Sequence, residues 1–478
     1  MFKNEQPNLL VVLSLVEFFI GFAFFGTLAI LILYLVGTGL TDKISYGVWK
    51  NFDALIYMFC LIGGVFGGRY LSFKQSCLIG IILMFLGYLI LSFNTHEVLP
   101  LIEIGLAFAA FGTGIVSPNI RNLLGTNYKN RVKRYNGFTI FHLPDILGQI
   151  LGPTVLTYIG LYSKTLMFST ACLSVFLALI TFLFFYKNLN FAPDDNKLKS
   201  ININQNLSYI IKILIFLTIL VLAILVMRLE DVGYILLIFG IGAISYVIKI
   251  LYNSAYADKI KIISLLWLMI GFLAAEICYR QGFSILNLFT LEYVDKHLNN
   301  YIIPTGVFQS VEPFFVLIMA PLFLYLWKSL DKKGIKITSG SLFSAGLLLL
   351  TASFGSLLFG ILTTPSGHGV HFVWLLTCYG FMSCSELMIL PIGIAAVVEL
   401  SPERWKGLLM GCWLLLISLA SFINGQVGQF ISPVIKEAPT LLTYQYVFSG
   451  MTIFAFFSGI LLYIIWKFWW KKYQSIIS

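Results

Sequence analysis

Charged residues are scarce in this sequence. They make up 11% of its 478 residues, whereas 59% are hydrophobic; an ordinary soluble domain is roughly one quarter charged. A water-soluble globule is therefore excluded. The short alternating segments of a membrane β-barrel are missing too, while apolar runs of about twenty residues, long enough to cross a hydrocarbon layer, recur from end to end. The composition predicts an all-α polytopic membrane protein.

Signatures of other chemistry are also missing. The seven cysteines form no CxxC pair and lie mostly in apolar runs, so no metal site is expected. No P-loop, GxSxG or HExxH motif occurs, so we expect neither an ATP-driven pump nor an enzyme, and no cofactor, with a proton gradient as the energy source. The net charge of +10 follows the membrane topology, so no nucleic-acid partner is expected.

The apolar runs predict fourteen membrane-spanning helices. Their expected bounds are 9–36, 50–71, 75–94, 98–124, 136–161, 165–187, 207–229, 231–252, 260–289, 303–328, 337–362, 369–399, 404–432 and 443–469. With the N-terminus inside, 22 of the 31 Lys and Arg residues fall in inside segments, and six fall in outside segments: Lys43, Lys50, Lys164, Arg228, Lys296 and Lys436. Because Lys and Arg accumulate in cytoplasmic loops, this bias predicts that both termini are cytoplasmic.

A polar stretch at residues 188–206 divides the chain after six predicted helices. The expected domains are an N-terminal six-helix bundle (1–188), a linker with two inserted helices (189–254) and a C-terminal six-helix bundle (255–478). This plan is typical of the major-facilitator fold, in which substrate binds near the membrane midplane between the two bundles.

Several motifs occur in the order typical of one family. The helices are numbered here without the two inserted ones, so that 260–289 is helix 7 and 404–432 is helix 11. Helix 4 reads GTGIVSPN (112–119), similar to GTGGxKPN, and helix 7 reads RQGFS (280–284), similar to EQGGSS. FQSVEP (308–313) is similar to FQSINP, and SEL (385–387) to part of GELLLSPVG. The chain thus resembles the proton-dependent oligopeptide transporters. The resemblance implies a secondary transporter in a bacterial inner membrane that carries small peptides with protons.

The chain departs from the family at charged positions. The helix 1 motif ExxERFxYYG keeps its first acid as Glu17, but its Glu-Arg pair is Ile20-Gly21 and its two Tyr are Phe24 and Phe25. The helix 4 Lys is Ser117. In the family the helix 1 Arg and helix 4 Lys hold the peptide carboxylate, so the resemblance implies that this pole is altered here.

The other departures concern the amine pole and proton coupling. The family's helix 7 Glu is Arg280 here, and its helix 8 Asn is Glu312. The resemblance implies that residues at positions 312 and 386 hold the peptide amine, while the helix 1 and helix 7 acids couple protons. The amine pole has therefore gained a carboxylate.

Seven charged residues within the apolar runs are selected as candidates, because an ionised group in the bilayer costs at least about 2.5–3.5 kcal/mol. Such residues are pathway candidates by default. They are Glu17, Arg121, Asp145, Glu276, Arg280, Glu312 and Glu386.

The two basic candidates, Arg280 and Arg121, each have a neighbour one helical turn away. Glu276 and Arg280 are four residues apart and are expected to form a buried ion pair, which either opens during the transport cycle or is permanent; with Glu17 they are assigned to proton coupling. Arg121 lies one turn beyond Ser117 on the same helix face. Both are assigned to substrate binding, with Arg121 as a snorkelling cytoplasmic anchor as the alternative.

Glu312 and Glu386 form the other predicted pair. If both face one cavity, a proton or a cation must accompany them, which favours a substrate with an amine; Glu386 is also assigned to proton coupling. The alternative is that Glu312 turns toward Arg280 and forms an ion pair between helices 7 and 8.

The remaining candidates lie on helices 1, 5 and 11. His142 and Asp145 are assigned to proton coupling, with local hydrogen bonding beside Pro144 as the alternative for His142. Gln149 is assigned to the substrate site. Three aromatic residues are assigned there too, with packing as the alternative: Phe24, Phe25 and Trp413.

The first functional hypothesis is an alternating-access symporter of small peptides or peptide-like solutes, acting as a monomer in the lipid bilayer. The altered carboxylate pole leaves a second one open, a transporter of a non-peptide compound such as a siderophore, amine or drug. A third is a receptor or scaffold that keeps the transporter fold but no longer transports. The intramembrane charges argue against it, because a protein without a transport pathway would be expected to lose such costly groups.

Overall fold

The chain is helical over nearly all of its described length. The computed structural model describes residues 7–66, 71–126, 131–186, 218, 220–222, 224–226, 233–333, 338–365, 367–402, 405–437 and 441–477. Among these residues, ten helical segments are long and apolar enough to cross a membrane. The predicted helix 207–229 lies largely outside the described residues, so the total of fourteen stays a prediction.

Six long helices lie wholly or, for α2, mostly in the first compact unit, which comprises Met1–Leu40 and Gly47–Val232. They are α1 (Pro7–Gly37), α2 (Asp42–Phe66), α3 (Phe73–Phe93), α4 (Leu99–Thr126), α5 (Arg131–Tyr162) and α6 (Lys164–Phe185). Helix α1 packs against α5 and α6, and α3 packs against α4 and α6. We call this part the N-terminal unit.

The second compact unit comprises Thr41–Tyr46 and Gly233–Ser478, and we call it the C-terminal unit. Its helices are α7 (Gly233–Asn253), α8 (Tyr256–Tyr279), α9 (Ile285–Tyr293), α10 (Val311–Lys332), α11 (Ser339–Thr363), α12 (Phe372–Leu400), α13 (Lys406–Glu437) and α14 (Leu441–Ile477). Helix α8 packs against α11, α12, α13 and α14. The chain divides after Val232, and the separate linker region expected at 189–254 stays a prediction.

Short strands join the ends of helices in the C-terminal unit. β1 (Val294–Asp295) pairs in parallel with β4 (Val370–His371), which connects the end of α9 to the start of α12. β2 (His297–Leu298) and β3 (Tyr301–Ile302) form a small antiparallel hairpin. Asn299 in its turn has φ of 54°, a left-handed conformation that Asn tolerates.

Helix α2 begins earlier than predicted. The apolar run predicts a start at residue 50, but the helix begins at Asp42 and buries Lys50, whose exposed fraction is 0%. The assignment of Lys50 to an outside loop was therefore wrong. Hydropathy ended the apolar run at the charges of Asp42, Lys43 and Lys50, although the burial of Trp49 shows that this turn packs.

The predicted helix 260–289 is interrupted. Helix α8 ends at Tyr279, a 3₁₀ turn covers Arg280–Phe283, and α9 begins at Ile285. The turn frees the Gly282 carbonyl, which accepts a hydrogen bond from Gln309 Nε2 at 2.7 Å. Such a break is tolerated in a membrane helix when neighbouring groups satisfy the freed backbone.

Helices α1 and α5 approach closely, and this contact positions part of the candidate site. A Cβ atom at Gly148 of α5 would lie 2.8 Å from the Phe22 nitrogen and 2.9 Å from the Phe18 carbonyl oxygen of α1. Because both atoms belong to the backbone, they cannot rotate away. Glycine at position 148 therefore fixes the spacing of the two helices.

We predict that Gly148→Ala destabilises the protein by about 1–3 kcal/mol, because the added methyl group overpacks this contact. Gly450→Ala in α14 is the matched control, since no atom lies within 4 Å of the added Cβ. There the same substitution should be neutral or stabilising through helix propensity. Thermal unfolding in detergent micelles measures both, and equal melting temperatures would contradict the close-contact explanation.

Candidate functional site: two charge clusters

Most of the predicted site residues fall into two clusters, one in each unit. The N-terminal cluster is defined as Glu17, Ser117, Arg121, His142, Asp145 and Gln149. The C-terminal cluster is defined as Glu276, Tyr279, Arg280, Glu312 and Glu386. Each contains one arginine and at least two carboxylates.

Arg121 is the centre of the N-terminal cluster. Its Nη1 donates to the Ser117 carbonyl at 2.9 Å and also to the Ser117 hydroxyl. Its Nη2 lies 3.3 Å from Glu17 Oε1, an ion pair between α4 and α1. The prediction that Arg121 and Ser117 share a helix face is confirmed. The Arg121 side chain is 45% exposed, against 7% for Glu17, so the guanidinium remains reachable.

Asp145 on α5 completes this cluster beside Pro144. Its Oδ2 lies 3.5 Å from His142 Nδ1 and accepts a hydrogen bond from Gln149 Nε2 at 3.3 Å. Its Oδ1 faces α1, where a Cβ at Gly21 would come within 3.0 Å. The aspartate therefore occupies space that a side chain at position 21 would need.

The charges of this cluster act on one another. Glu17 interacts electrostatically with Arg121, Asp145 and His142, and Arg121 interacts in turn with Asp145. Two carboxylates thus share one guanidinium and one imidazole. His142 makes the local contact named as its alternative, and that contact is with an acid assigned to proton coupling.

The predicted ion pair of the C-terminal cluster is present. Arg280 Nε donates to Glu276 Oε2 at 3.3 Å, and both side chains are buried. Arg280 begins the 3₁₀ turn after α8, so the pair lies where the helix is interrupted. Burial in a low-dielectric environment is tolerated here because each ion has a counter-charge.

Glu312 and Glu386 approach this pair from α10 and α12. Glu312 interacts electrostatically with Glu386, Glu276 and Arg280, most strongly with Glu386. The Ser383 hydroxyl donates to the Glu312 carbonyl at 2.8 Å and ties α12 to the start of α10. The structure thus brings the two predicted amine-binding acids together, and Arg280 is close enough to act on Glu312 as well.

Neutral polar side chains surround the C-terminal cluster. The Tyr279 hydroxyl lies 2.8 Å from Ser385 Oγ and interacts electrostatically with all three carboxylates. Gln309 Nε2 donates to the Tyr379 hydroxyl at 3.1 Å. Gln281 Nε2 donates to Asn424, whose Nδ2 donates to the Ile277 carbonyl at 2.9 Å.

Gln309, Tyr379 and Asn424 were not predicted as site residues. The signal was present, since a buried amide in an apolar run costs free energy unless it is hydrogen-bonded. Asp53 was not predicted as a candidate either, although it is buried one turn from Lys50 in α2. Both charges are 0% exposed.

The predicted aromatic contacts are engaged with other rings. Trp413 is 1% exposed and stacks on Phe272, with ring centroids 4.0 Å apart. Phe24 is buried against Phe25 at 4.7 Å in an edge arrangement. These contacts correspond to the packing alternative, and substrate contact by the three residues stays a prediction.

The described residues contain no group of three or more His, Cys, Asp or Glu side chains placed to hold a metal ion. A cavity of about 350 Å³ in the C-terminal unit is lined by apolar residues of α8, α13 and α14, including Ile277, Val427 and Met451. No charged side chain lines this cavity, and none of its lining residues belongs to either cluster.

Comparison with known proteins identifies relatives over nearly the whole chain. A model of the POT family matches residues 74–442. The chain is 26% identical over 456 residues to dipeptide and tripeptide permease A of Pectobacterium carotovorum subsp. carotovorum (strain PC1), covering 94% of this chain and 89% of the relative.

Solved structures give the same result. A mutant of peptide transporter POT in complex with alafosfalin is 25% identical, with a TM-score of 0.81 over 96% of this chain and 94% of that one. Tetrameric PepTSo2 has a TM-score of 0.83 over 96% and 98%, and at 20% identity it shows the fold alone.

Fold and sites together define a multi-pass, all-α membrane protein of the major-facilitator class, as predicted. Because the family model covers most of its length, the chain belongs to the POT family. The resemblance found in the sequence motifs is thereby confirmed.

We predict that Arg280→Gln lowers the free energy of unfolding by about 3–5 kcal/mol, because it leaves the buried Glu276 charge without its partner. The double variant Glu276→Gln/Arg280→Gln should be more stable than Arg280→Gln alone, since no charge of the pair is then stranded. Denaturant titration in micelles measures the unaltered protein, the two single variants Glu276→Gln and Arg280→Gln, and the double variant, which together form a double-mutant cycle. Additive losses would show that the pair carries no coupling energy.

Proposed function

We propose that this protein is a secondary active transporter that moves small peptides or peptide-like solutes, including cationic ones, together with protons by alternating access. The observation that carries the proposal is the presence of buried carboxylates beside an arginine in each unit of a POT-family chain. A carboxylate in such a setting can change its charge when it binds or releases a proton.

The proposed roles follow from the clusters. Glu312 and Glu386 hold the amine of the substrate, because their combined negative charge favours a cation. Glu276, Arg280 and Glu17 couple protonation to the conformational cycle, with His142 and Asp145 as further proton carriers. Arg121, beside Ser117 and Gln149, meets an anionic group of the substrate.

The proposed setting is a bacterial inner membrane, with both termini cytoplasmic and the protein working as a monomer in the lipid bilayer. The energy source is the proton gradient, without a bound cofactor. We propose that the protein is not an enzyme and has no nucleic-acid partner. The permease name of its relative supports a transport role.

We predict that Glu386→Gln abolishes proton-driven uptake of a radiolabelled dipeptide into proteoliposomes, because the neutral amide neither holds the amine nor exchanges a proton. Glu399→Gln is the matched control, since Glu399 lies on the same helix but is exposed. Its uptake should equal that of the unaltered protein. Undiminished uptake in Glu386→Gln would remove the proposed role of this acid.

The substrate class is tested by binding. We predict that dipeptides raise the melting temperature of the purified protein in a concentration-dependent way, because a ligand of the folded form stabilises it. Amines and siderophores serve as the comparison set. If a member of that set raises the melting temperature and dipeptides neither do so nor displace it, the peptide assignment is wrong and the non-peptide transporter is favoured.

A further inference from the structure

One end of the C-terminal unit joins three helices through two tryptophans of α14. Trp466 Nε1 donates to the Thr338 hydroxyl at the start of α11, at 3.0 Å, and Trp469 Nε1 donates to the Ser264 hydroxyl of α8, at 2.8 Å. We call these four residues the tryptophan end. A Cβ atom at Gly340 would collide with the Trp466 ring, so α11 and α14 are closely packed there.

Five lysines lie around the tryptophan end. Lys261 is on α8, one turn before Ser264, and Lys467 directly follows Trp466 on α14 and is exposed. Helix α10 ends nearby, because only a short connection separates it from the start of α11. All five side chains are half-buried or exposed, and they are Lys259, Lys261, Lys332, Lys333 and Lys467.

These lysines are not neutralised by neighbouring acids. Among the side chains that the structure describes, none of the five lies in an ion pair. One acid, Asp258, lies in the first turn of α8 and offsets one of the five charges. By contrast, Lys296 elsewhere in the unit donates to the carbonyls of Thr290 and Leu291. The described side chains around the tryptophan end therefore carry a net positive charge.

The length of α14 places this end beyond the hydrocarbon layer. Its 37 residues span about 55 Å at about 1.5 Å per residue, whereas the hydrocarbon layer is about 30 Å thick. Tyr252, near the end of α7, and Tyr256, at the start of α8, are 84% and 65% exposed. Because Tyr and Trp concentrate at the membrane–water interface, the lysines lie at the level of the lipid headgroups.

An exposed apolar stripe on α14 leads to the same lysines. Four side chains that are each at least 45% exposed recur at intervals of three or four residues and so share one helix face: Phe457, Leu461, Ile464 and Phe468. Lys467 borders this stripe one turn after Ile464, and the helix register places Lys471 on the stripe itself. A basic group at the end of an apolar stripe matches the two parts of a phospholipid, which are a charged headgroup and hydrocarbon chains.

This combination of charge and apolar surface distinguishes between possible partners. A soluble phosphate or an acidic protein would contact the lysines but leave the apolar stripe uncovered. A zwitterionic lipid would cover the stripe, but its own cationic group would oppose the lysines. An anionic phospholipid satisfies both features, since basic clusters beside membrane helices attract anionic headgroups.

We propose that the tryptophan end binds an anionic phospholipid, with the negatively charged headgroup against the lysines of α8 and α14 and an acyl chain along the apolar stripe. Because the headgroup contacts both helices, the bound lipid stabilises their packing. The site lies outside both charge clusters, and the inference holds whichever solute the protein transports.

The experiment measures lipid binding to the purified full-length protein in neutral detergent micelles. Phosphatidylglycerol carries a net negative charge, whereas phosphatidylcholine carries the same phosphate without a net charge. We expect phosphatidylglycerol to raise the melting temperature in a concentration-dependent way, because a ligand of the folded protein stabilises it. Phosphatidylcholine and glycerol phosphate, a soluble phosphate without acyl chains, should leave it unchanged. Native mass spectrometry measures the bound lipid directly.

Substitutions locate the site. Lys261→Gln/Lys467→Gln should weaken phosphatidylglycerol binding by about twenty-five-fold, because each lysine near an anionic headgroup contributes about fivefold. Lys261→Arg/Lys467→Arg keeps both charges and should bind the lipid as the unaltered protein does. Lys43→Gln removes an exposed charge where the backbone of Lys43 contacts Gln429, near the other end of the unit. It should also leave lipid binding unchanged.

The outcomes are separable. Equal binding of the two lipids, or unchanged phosphatidylglycerol binding in a folded Lys261→Gln/Lys467→Gln protein, overturns the inference, and the lysines then serve only to set the membrane topology. An equal rise of the melting temperature with glycerol phosphate points to a soluble anion and overturns the lipid assignment. Should the double glutamine variant fail to fold, Lys467→Gln alone replaces it, with about fivefold weaker binding expected and unchanged binding as the contrary result.

Discussion

The cost of placing charge in a low-dielectric interior governs the arrangement of this protein. An ionised side chain among apolar helices is costly unless an opposite charge or hydrogen-bond donors accompany it. Each unit satisfies this requirement with one arginine, Arg121 against Glu17 and Arg280 against Glu276, both at 3.3 Å. Beyond these pairs lie three further acids, Asp145, Glu312 and Glu386, which interact electrostatically with the same two clusters.

The departures from the family pattern look like displacements as much as losses. The cation expected at position 117 is absent, but Arg121 lies one turn further along α4 and contacts Ser117 directly. The acid expected at position 280 is replaced by arginine, but Glu276 lies one turn earlier and pairs with it. A shift of one turn keeps a side chain on the same helix face. Helix α4 therefore keeps a cation on this face and α8 keeps an acid, each one turn away from the expected position.

Much of this could be predicted from the sequence because it depends on local spacing. The ion pair of Glu276 and Arg280 and the alignment of Arg121 with Ser117 both follow from four-residue periodicity. Hydropathy alone also identified the helical membrane-spanning class, since long apolar runs have few other uses.

What the sequence could not show depends on contacts between distant segments. The interruption of α8 is stabilised by Gln309, which satisfies the Gly282 carbonyl from 27 residues away. Lys50 was placed in a loop because hydropathy treats a charge as the end of an apolar run, whereas the fold buries it. The approach of Asp145 to Gly21 likewise depends on how closely α5 packs on α1.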